Sequence, residues 1–503
     1  MSEPSTPSGT VPNAAPGTAA GIGIVLRPGE YLAVLGPRGA GLSTVCMSAC
    51  GIDPEPHHEP SAGQGFTGDP AQEVARHPAW ELPVSVPAGQ AAMLGDDPEA
   101  QLTGMTSLVR DEVQLPLRLQ GGAEPRRRAA AQCGCLGITE LWDRRLDTLS
   151  GGQRQLTALA GLLTLEPVTL VLDQPSLSLD RVGRARLARI LREHCVRGGS
   201  VLVTGHQHDE VTAAADRTLF LEAGRITGEV SGRPTDVLLA DHGVWSMLEA
   251  DVAGPAQAAD FSPTGPLGPS GRDANAAQAE PLLRIEDLTV SRGTHTILDQ
   301  VGLSLGAGQV LALEGPNGIG KSTLLRALAG ILDTGARVSG RILFGPEHLD
   351  LAQLPAHLRA AHLAWVGQDP SAQLSAASVR AELVRATPLP RLPRKQRAEA
   401  RARRVQQAEQ VAERIGLADQ VDVHPHDLGP AQRKDLVIGT ALMLGASILL
   451  LDEPTLGRDR AGIIALTALV EEFSAAGGAV ILTTHDHRWA ATVSSHRVDL
   501  GTA

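Results

Sequence analysis

In the stretch GPNGIGKST, Gly315, Gly318 and Gly320 are spaced so that the backbone can wrap an anion, and Lys321 and Ser322 follow at once. Glycines let main-chain N–H groups converge at the positive end of a helix, a lysine balances β- and γ-phosphate charge, and a serine hydroxyl can ligate Mg²⁺. Gly315, Pro316, Asn317, Gly318, Gly320, Lys321, Ser322 and Thr323 thus have the chemistry of a nucleoside triphosphate site. Farther on, SILLLDEP ends in two acids. Asp452 is placed to join Ser322 in the Mg²⁺ shell, and Glu453, one residue on, to take a proton from an attacking water. The run AVILTTH then delivers His485, whose imidazole can hydrogen-bond a γ-phosphate.

These residues need particular elements to hold them. VLALE before Gly315 reads as a strand and LLRALAGIL after Thr323 as a helix, the context a phosphate-binding loop requires. The unbroken apolar run of SILLLD predicts a strand buried on both faces, the parallel-sheet kind.

The same parts occur earlier in the chain. An offset of 279 residues carries Gly36 of GPRGAGLST to Gly315, Asp173 of TLVLDQP to Asp452, Leu149 of LSGGQ to Leu428 of LGPAQ, and His206 to His485. The chain is therefore a tandem duplication of two large copies. GDDPEAQL from Gly95 pairs with GQDPSAQL from Gly367 at an offset of 272, a difference that fits length changes in surface loops. The Pro-, Gly- and Ala-rich stretch 251–280 reads as a linker, dividing the chain into domains 1–250 and 281–503. The second copy opens on LLRIEDLTVSRG, an alternating pattern that suggests an edge strand, whereas the first opens on SEPSTPSGTVPNA, which has the composition of a disordered segment.

Composition narrows the partners. With 503 residues, a net charge of -12 and 2% aromatic residues, the chain offers neither a basic footprint nor stacking platforms for nucleic acid. No apolar run approaches the roughly 20 residues that cross a bilayer, and no signal peptide opens the sequence, so a cytoplasmic protein is expected. The five cysteines, Cys46, Cys50, Cys133, Cys135 and Cys195, lack metal-ligand spacing and read as reduced and structural, and His57 and His58 sit in a polar loop.

A phosphate-binding loop, LSGGQ and LLLDEPT in that order resemble the ATP-binding subunits of ABC transporters over almost the whole chain. The resemblance implies two tandem α/β P-loop ATPase domains, each with a mainly parallel sheet core and a helical signature subdomain. It implies ATP and Mg²⁺ as ligands, and pairing of the two halves so that the signature of one completes the site of the other. Ser150, Gly151, Gly152 and Gln153 would then contact nucleotide held by the opposite copy. Gln368 stands where the family has a glutamine that senses the γ-phosphate, joins the metal shell and contacts the membrane partner. Arg292 in VSRG takes the place of the aromatic residue that stacks on adenine; its guanidinium can stack on a base or face solvent.

The copies depart from the pattern in complementary ways. The first has Leu42 for the lysine, Asp96 for the sensing glutamine and Gln174 for the catalytic glutamate, but keeps LSGGQ. Losing the lysine removes a charge contact worth about 4 kcal/mol at ~4 Å and an effective dielectric of ~20. The second keeps its catalytic residues but has Gly429, Pro430 and Ala431 in place of Ser150, Gly151 and Gly152, losing a hydroxyl and a backbone donor. Head-to-tail pairing sorts these parts into one intact composite site and one damaged one.

QDPSAQL and DDPEAQL resemble the Q-P-x-x-Q pattern of energy-coupling-factor ATPases. That implies uptake of a vitamin or transition metal at the cytoplasmic face of the membrane, with a transmembrane coupling protein and a substrate-binding membrane protein as partners. A sugar-type importer, an exporter and a soluble ribosome-associated protein are the alternatives.

Overall fold

The computed structural model describes residues 23–52, 83–97, 101–248, 280–387 and 393–500. Of the expected linker 251–280 all but residue 280 lies outside them, as do the opening residues of the first copy and His57 and His58.

Each half is built on a sheet, and VLALE and SILLLD supply two strands of the second half's, as their apolar runs predict. In the second half five parallel strands lie in the order Leu363–Val366, Ile448–Asp452, Ala479–Thr483, Val310–Glu314 and His496–Asp499. The first half repeats the arrangement with Ala91–Leu94, Thr169–Asp173, Ser200–Gly205, Tyr31–Leu35 and Arg217–Glu222, and adds Arg225–Ser231 antiparallel at the edge. Thr169–Asp173 and Ile448–Asp452 are buried along their full length, as strands covered by helices on both faces must be. A four-stranded antiparallel sheet packs on the second half, and in it Leu283–Arg292 is an interior strand rather than the expected edge, because His295–Leu305 and Ala336–Phe344 pair on either side of it.

Three helices form a separate layer in each half: Val109–Leu119, Pro125–Leu136 and Gly151–Leu163 in the first, Val379–Arg385, Arg394–Arg414 and Pro430–Leu444 in the second. The last helix of each carries the signature at its start. Ser150 caps one with a reciprocal pair of hydrogen bonds to Gln153. Pro430 occupies the first turn of the other, where a missing N–H disrupts nothing. The five cysteines are free; Cys46, Cys133 and Cys195 are buried.

The halves meet along a seam. Trp245, near the end of the described part of the first half, packs against the core of the second and donates from Nε1 to Asp486 Oδ2 at 2.6 Å. Arg488 spreads over its ring and pairs with Asp236. Trp245 is half-buried at the seam and both packed and hydrogen-bonded across it, and aromatics so anchored dominate interface energies, so Trp245→Ala is expected to weaken docking by about 2 kcal/mol. A lowered denaturation midpoint with unchanged secondary structure by circular dichroism would register it. Among the described residues no helix is long and apolar enough to cross a membrane.

Candidate active site

The candidate site lies at the C-terminal ends of three neighbouring strands, Val310–Glu314, Ile448–Asp452 and Ala479–Thr483. The turn from the first into the helix Lys321–Ala329 passes through Gly320 at φ 112°, where a Cβ would stand 2.7 Å from Leu298 Cδ2. Only glycine fits there. Lys321 Nζ donates to the carbonyls of Gly315 at 2.6 Å and Pro316 at 3.1 Å, capping its own loop, and burial lowers its pKa.

Asp452 Oδ1 accepts hydrogen bonds from Ser322 Oγ at 2.9 Å and Thr483 Oγ1 at 2.7 Å. Its Oδ2 is buried without a partner. An orphaned buried acceptor costs on the order of 1–3 kcal/mol, more when charged. A small hard cation beside Ser322 and Asp452 would satisfy it, so these oxygens fit Mg²⁺. Burial raises the Asp452 pKa, and such a cation would oppose that shift.

Glu453 adopts a left-handed backbone, φ 49°, a conformation that costs a non-glycine residue on the order of 1–3 kcal/mol. Its N–H donates to Thr483 O at 3.1 Å, its carbonyl accepts from Lys434 Nζ, and its Oε2 accepts from His485 N at 3.1 Å. Oε1 is buried and unpartnered; His485 Nε2 stands 3.4 Å away without hydrogen-bond geometry. A carboxylate held by its strained main chain, with one oxygen free, is arranged to receive a proton. Burial raises its pKa, with Lys321 and Lys434 acting against the rise. His485 is pushed down to about 3 by burial and is neutral, so Nε2–H donates to Asn317 Oδ1 at 2.8 Å.

Gln368 follows the strand Leu363–Val366, which pairs beside Ile448–Asp452. The second glutamine of its motif explains the spacing: Gln373 accepts from Gly367 N and donates to Trp365 O, both at 2.9 Å, clamping the loop that carries Gln368. Arg292 is exposed at the end of its strand, and its guanidinium pairs with Asp333 at 2.8 Å.

The first half keeps the scaffold with other side chains at the matching positions. Leu42 is 3% exposed, packed with Val45, Cys46 and Val171. Gln174 has the same backbone as Glu453, φ 49°, and its carbonyl accepts from Gln155 at 3.4 Å. His206 donates from Nδ1 to Gly36 O at 2.9 Å, within its own half.

Across the seam, loops related by the 279-residue offset exchange equivalent hydrogen bonds. Asn317 N donates to Asp180 Oδ2 at 3.2 Å, and Arg38 N to Asp459 Oδ2 at 2.9 Å. This is the reciprocity of a two-fold interface. The signature tip at Gly151 and Gly152 packs on Ser178 of the loop that ends in Asp180. On the other side Arg38 reaches the degenerate tip: a Cβ on Gly429 would stand 3.2 Å from its guanidinium.

Three residues absent from the motif reading join the site: Asp180, Lys434 and Arg184, whose Nη2 donates to the carbonyl of His485 across the seam at 3.4 Å. The offset would have flagged two of them, because Lys434 replaces Gln155 and Arg184 stands opposite Ile463. Both asymmetries place a cation beside the half that holds Glu453.

The profile of the ABC transporter family matches residues 20–177 and 298–456. A provisionally named ABC transporter ATP-binding protein of Streptomyces avermitilis is 31% identical over 97% of this chain and 90% of its own length. YkoD of Bacillus subtilis, a provisionally named HMP/thiamine import ATP-binding protein, is 29% identical over 92% of this chain and 83% of its own. Among solved structures, the archaeal ribosome recycling factor aABCE1, in complex with the ribosomal stalk protein aP1, shares the fold. The TM-score is 0.59 at 19% identity, over 95% of this chain and 84% of that one.

Proposed function

Because the chain belongs to the ABC transporter family and its tandem domains are ATPase domains, we propose that it hydrolyses ATP at one composite site on the seam and couples that hydrolysis to import. The observation that carries this reading is the sorting of parts. Lys321, Ser322, Gln368, Asp452, Glu453 and His485 face the half that keeps Ser150, Gly151, Gly152 and Gln153, and the loop ending in Asp180 links the two sets through Asn317. Across the opposite seam the half that carries Leu42 and Gln174 meets, through Arg38, the tip that begins at Gly429 and continues in Pro430 and Ala431.

In this reading the backbone of Gly315–Thr323 cradles the phosphates and Lys321 turns from its own carbonyls to them. Mg²⁺ held by Ser322, Asp452 and Gln368 would neutralise phosphate charge. Glu453 Oε1 takes a proton from water as the water oxygen bonds to the γ-phosphorus and the bond to the bridging oxygen breaks, releasing ADP and phosphate. His485, neutral, offers Nε2–H to the γ-phosphate in place of Asn317. Arg292 is free to leave Asp333, an exposed pair of little energetic weight, and stack on the adenine. The domains run 1–250 and 281–503, joined by the linker.

The direction of transport rests on the Q-D-P-x-x-Q stretch, whose clamp by Gln373 gives its spacing a physical role, and on the relation to YkoD. Both support a coupling subunit at the cytoplasmic face of the membrane, serving a transmembrane coupling protein and a substrate-binding membrane protein. Of a vitamin or a transition metal, the relation to YkoD favours a thiamine-related solute. The test is uptake of labelled thiamine or its pyrimidine precursor in cells carrying the wild-type chain or Glu453→Gln. Uptake lost with the variant supports the reading; equal uptake, or copurification with ribosomes instead of membrane proteins, overturns it.

The damaged site yields its own expectation. Leu42→Lys should leave turnover within about twofold of wild type, since Gln174 still lacks a base and Pro430 a donor. Steady-state phosphate release measures it, and strong activation would contradict the assignment. Burying the new ammonium among Val45, Cys46 and Val171 should instead lower the melting temperature.

A further inference from the structure

The helix Arg181–Val196 begins just after Asp180, and its first turn buries Arg184 at 3% exposure. Within its own half, Arg184 Nε donates to Glu210 Oε2 at 2.6 Å and Nη1 to Leu179 O at 3.0 Å. Its remaining arm crosses the seam, where Nη2 donates to the carbonyl of His485 at 3.4 Å, a long hydrogen bond. Asp180 and Arg184 are one helical turn apart, so both reach the same side of the seam. Asp180 takes the main chain of Asn317, Arg184 takes the main chain of His485, and the His485–Asn317 side-chain bond closes a four-residue ring.

The other seam has no such ring. Asp459 holds Arg38 as Asp180 holds Asn317, but the position matching Arg184 is Ile463, 1% exposed in the hydrophobic core. His206, matching His485, bonds to its own half. Among the described residues the full ring therefore exists only beside the half that carries Glu453.

We propose that Arg184 is a positioning residue of the hydrolytic site supplied by the opposite half, holding the His485 main chain so that the imidazole faces the phosphate loop only when the halves are docked. This rests on the reading that the site of Glu453 and His485 is the hydrolytic one. Arg184 bonds the main-chain carbonyl of His485 rather than its imidazole, so its loss should act on kcat and pass through His485.

The experiment is a double-mutant cycle in the full chain, comparing Arg184→Ile, which copies Ile463, with His485→Ala and the combination. Arg184→Ile is expected to lower kcat about tenfold or more with KM for ATP changed less than about threefold, and to add nothing beyond about twofold to His485→Ala. Arg184→Lys, which keeps a cation for Glu210, should retain the wild-type melting temperature and show the same non-additivity with a smaller loss; it decides the matter if the isoleucine variant does not fold. Glu210→Gln breaks the pair within the first half and leaves the donor to His485, so it should lower the melting temperature more than kcat. Multiplying effects of the Arg184 and His485 changes, or a loss confined to stability and KM, would overturn the proposal. Glu453→Gln separates the premises: turnover retained in that variant removes the hydrolytic reading itself, whereas turnover lost with a multiplicative cycle removes only the role of Arg184.

Discussion

Glu453→Gln is expected to lower ATP turnover by about 10²–10⁴-fold, the range for removing a general base, while nucleotide still binds. The substitution is close to isosteric, so the left-handed backbone, the Thr483 contact and the His485 N–H contact can all persist. What disappears is the proton acceptor at Oε1. The first half already contains this experiment in natural form, since Gln174 adopts the same backbone at the matching position. The reverse change, Gln174→Glu, should not create a second active site, because Leu42 and the Gly429–Ala431 tip remain. Single-turnover phosphate release together with equilibrium binding of ATP separates the two effects. Turnover surviving in Glu453→Gln would move the base elsewhere.

Gly152→Ala should reduce turnover by about 10²-fold, comparable with losing a preorganised backbone donor, although residue 152 belongs to the half without a base. A Cβ at this position would stand 2.5 Å from Ser178 O, a backbone atom that cannot yield without moving its loop. That loop ends in Asp180, which holds Asn317 of the phosphate loop, so the displacement is transmitted across the seam. In the second half the matching residue is already Ala431, fully buried. Ala431→Gly should accordingly change turnover little. Steady-state kinetics on both variants, with melting temperatures to check folding, compares the two tips directly. Equal effects would mean that both signatures serve hydrolysis, contrary to a single composite site.

Much of this protein is legible in one dimension because its chemistry is local. Glycine spacing, the acids at the end of a buried strand and the 279-residue offset are properties of short stretches, and strand, loop and helix follow from apolar runs that bury one side or both. The replacements at Leu42, Gln174 and Pro430 are equally local, and the proposal that they fall into one of two sites adds only the pairing that the family resemblance implies.

Tertiary structure decided what depends on residues far apart in the chain. No spacing rule brings Arg184 to the His485 carbonyl, Asp180 to Asn317, or Trp245 to Asp486; each bond exists only once two sheets are docked. The partner of Arg292, Asp333, and the clamp made by Gln373 were likewise invisible, because side-chain partners are set by where neighbouring strands and loops end. The left-handed backbone at Glu453 belongs with them, since a strained conformation persists only where surrounding hydrogen bonds over-determine it. Sequence alone thus determined which groups could carry the chemistry, and the fold determined which of them meet, because hydrogen bonds act over a few ångströms and the chain places their partners hundreds of residues apart.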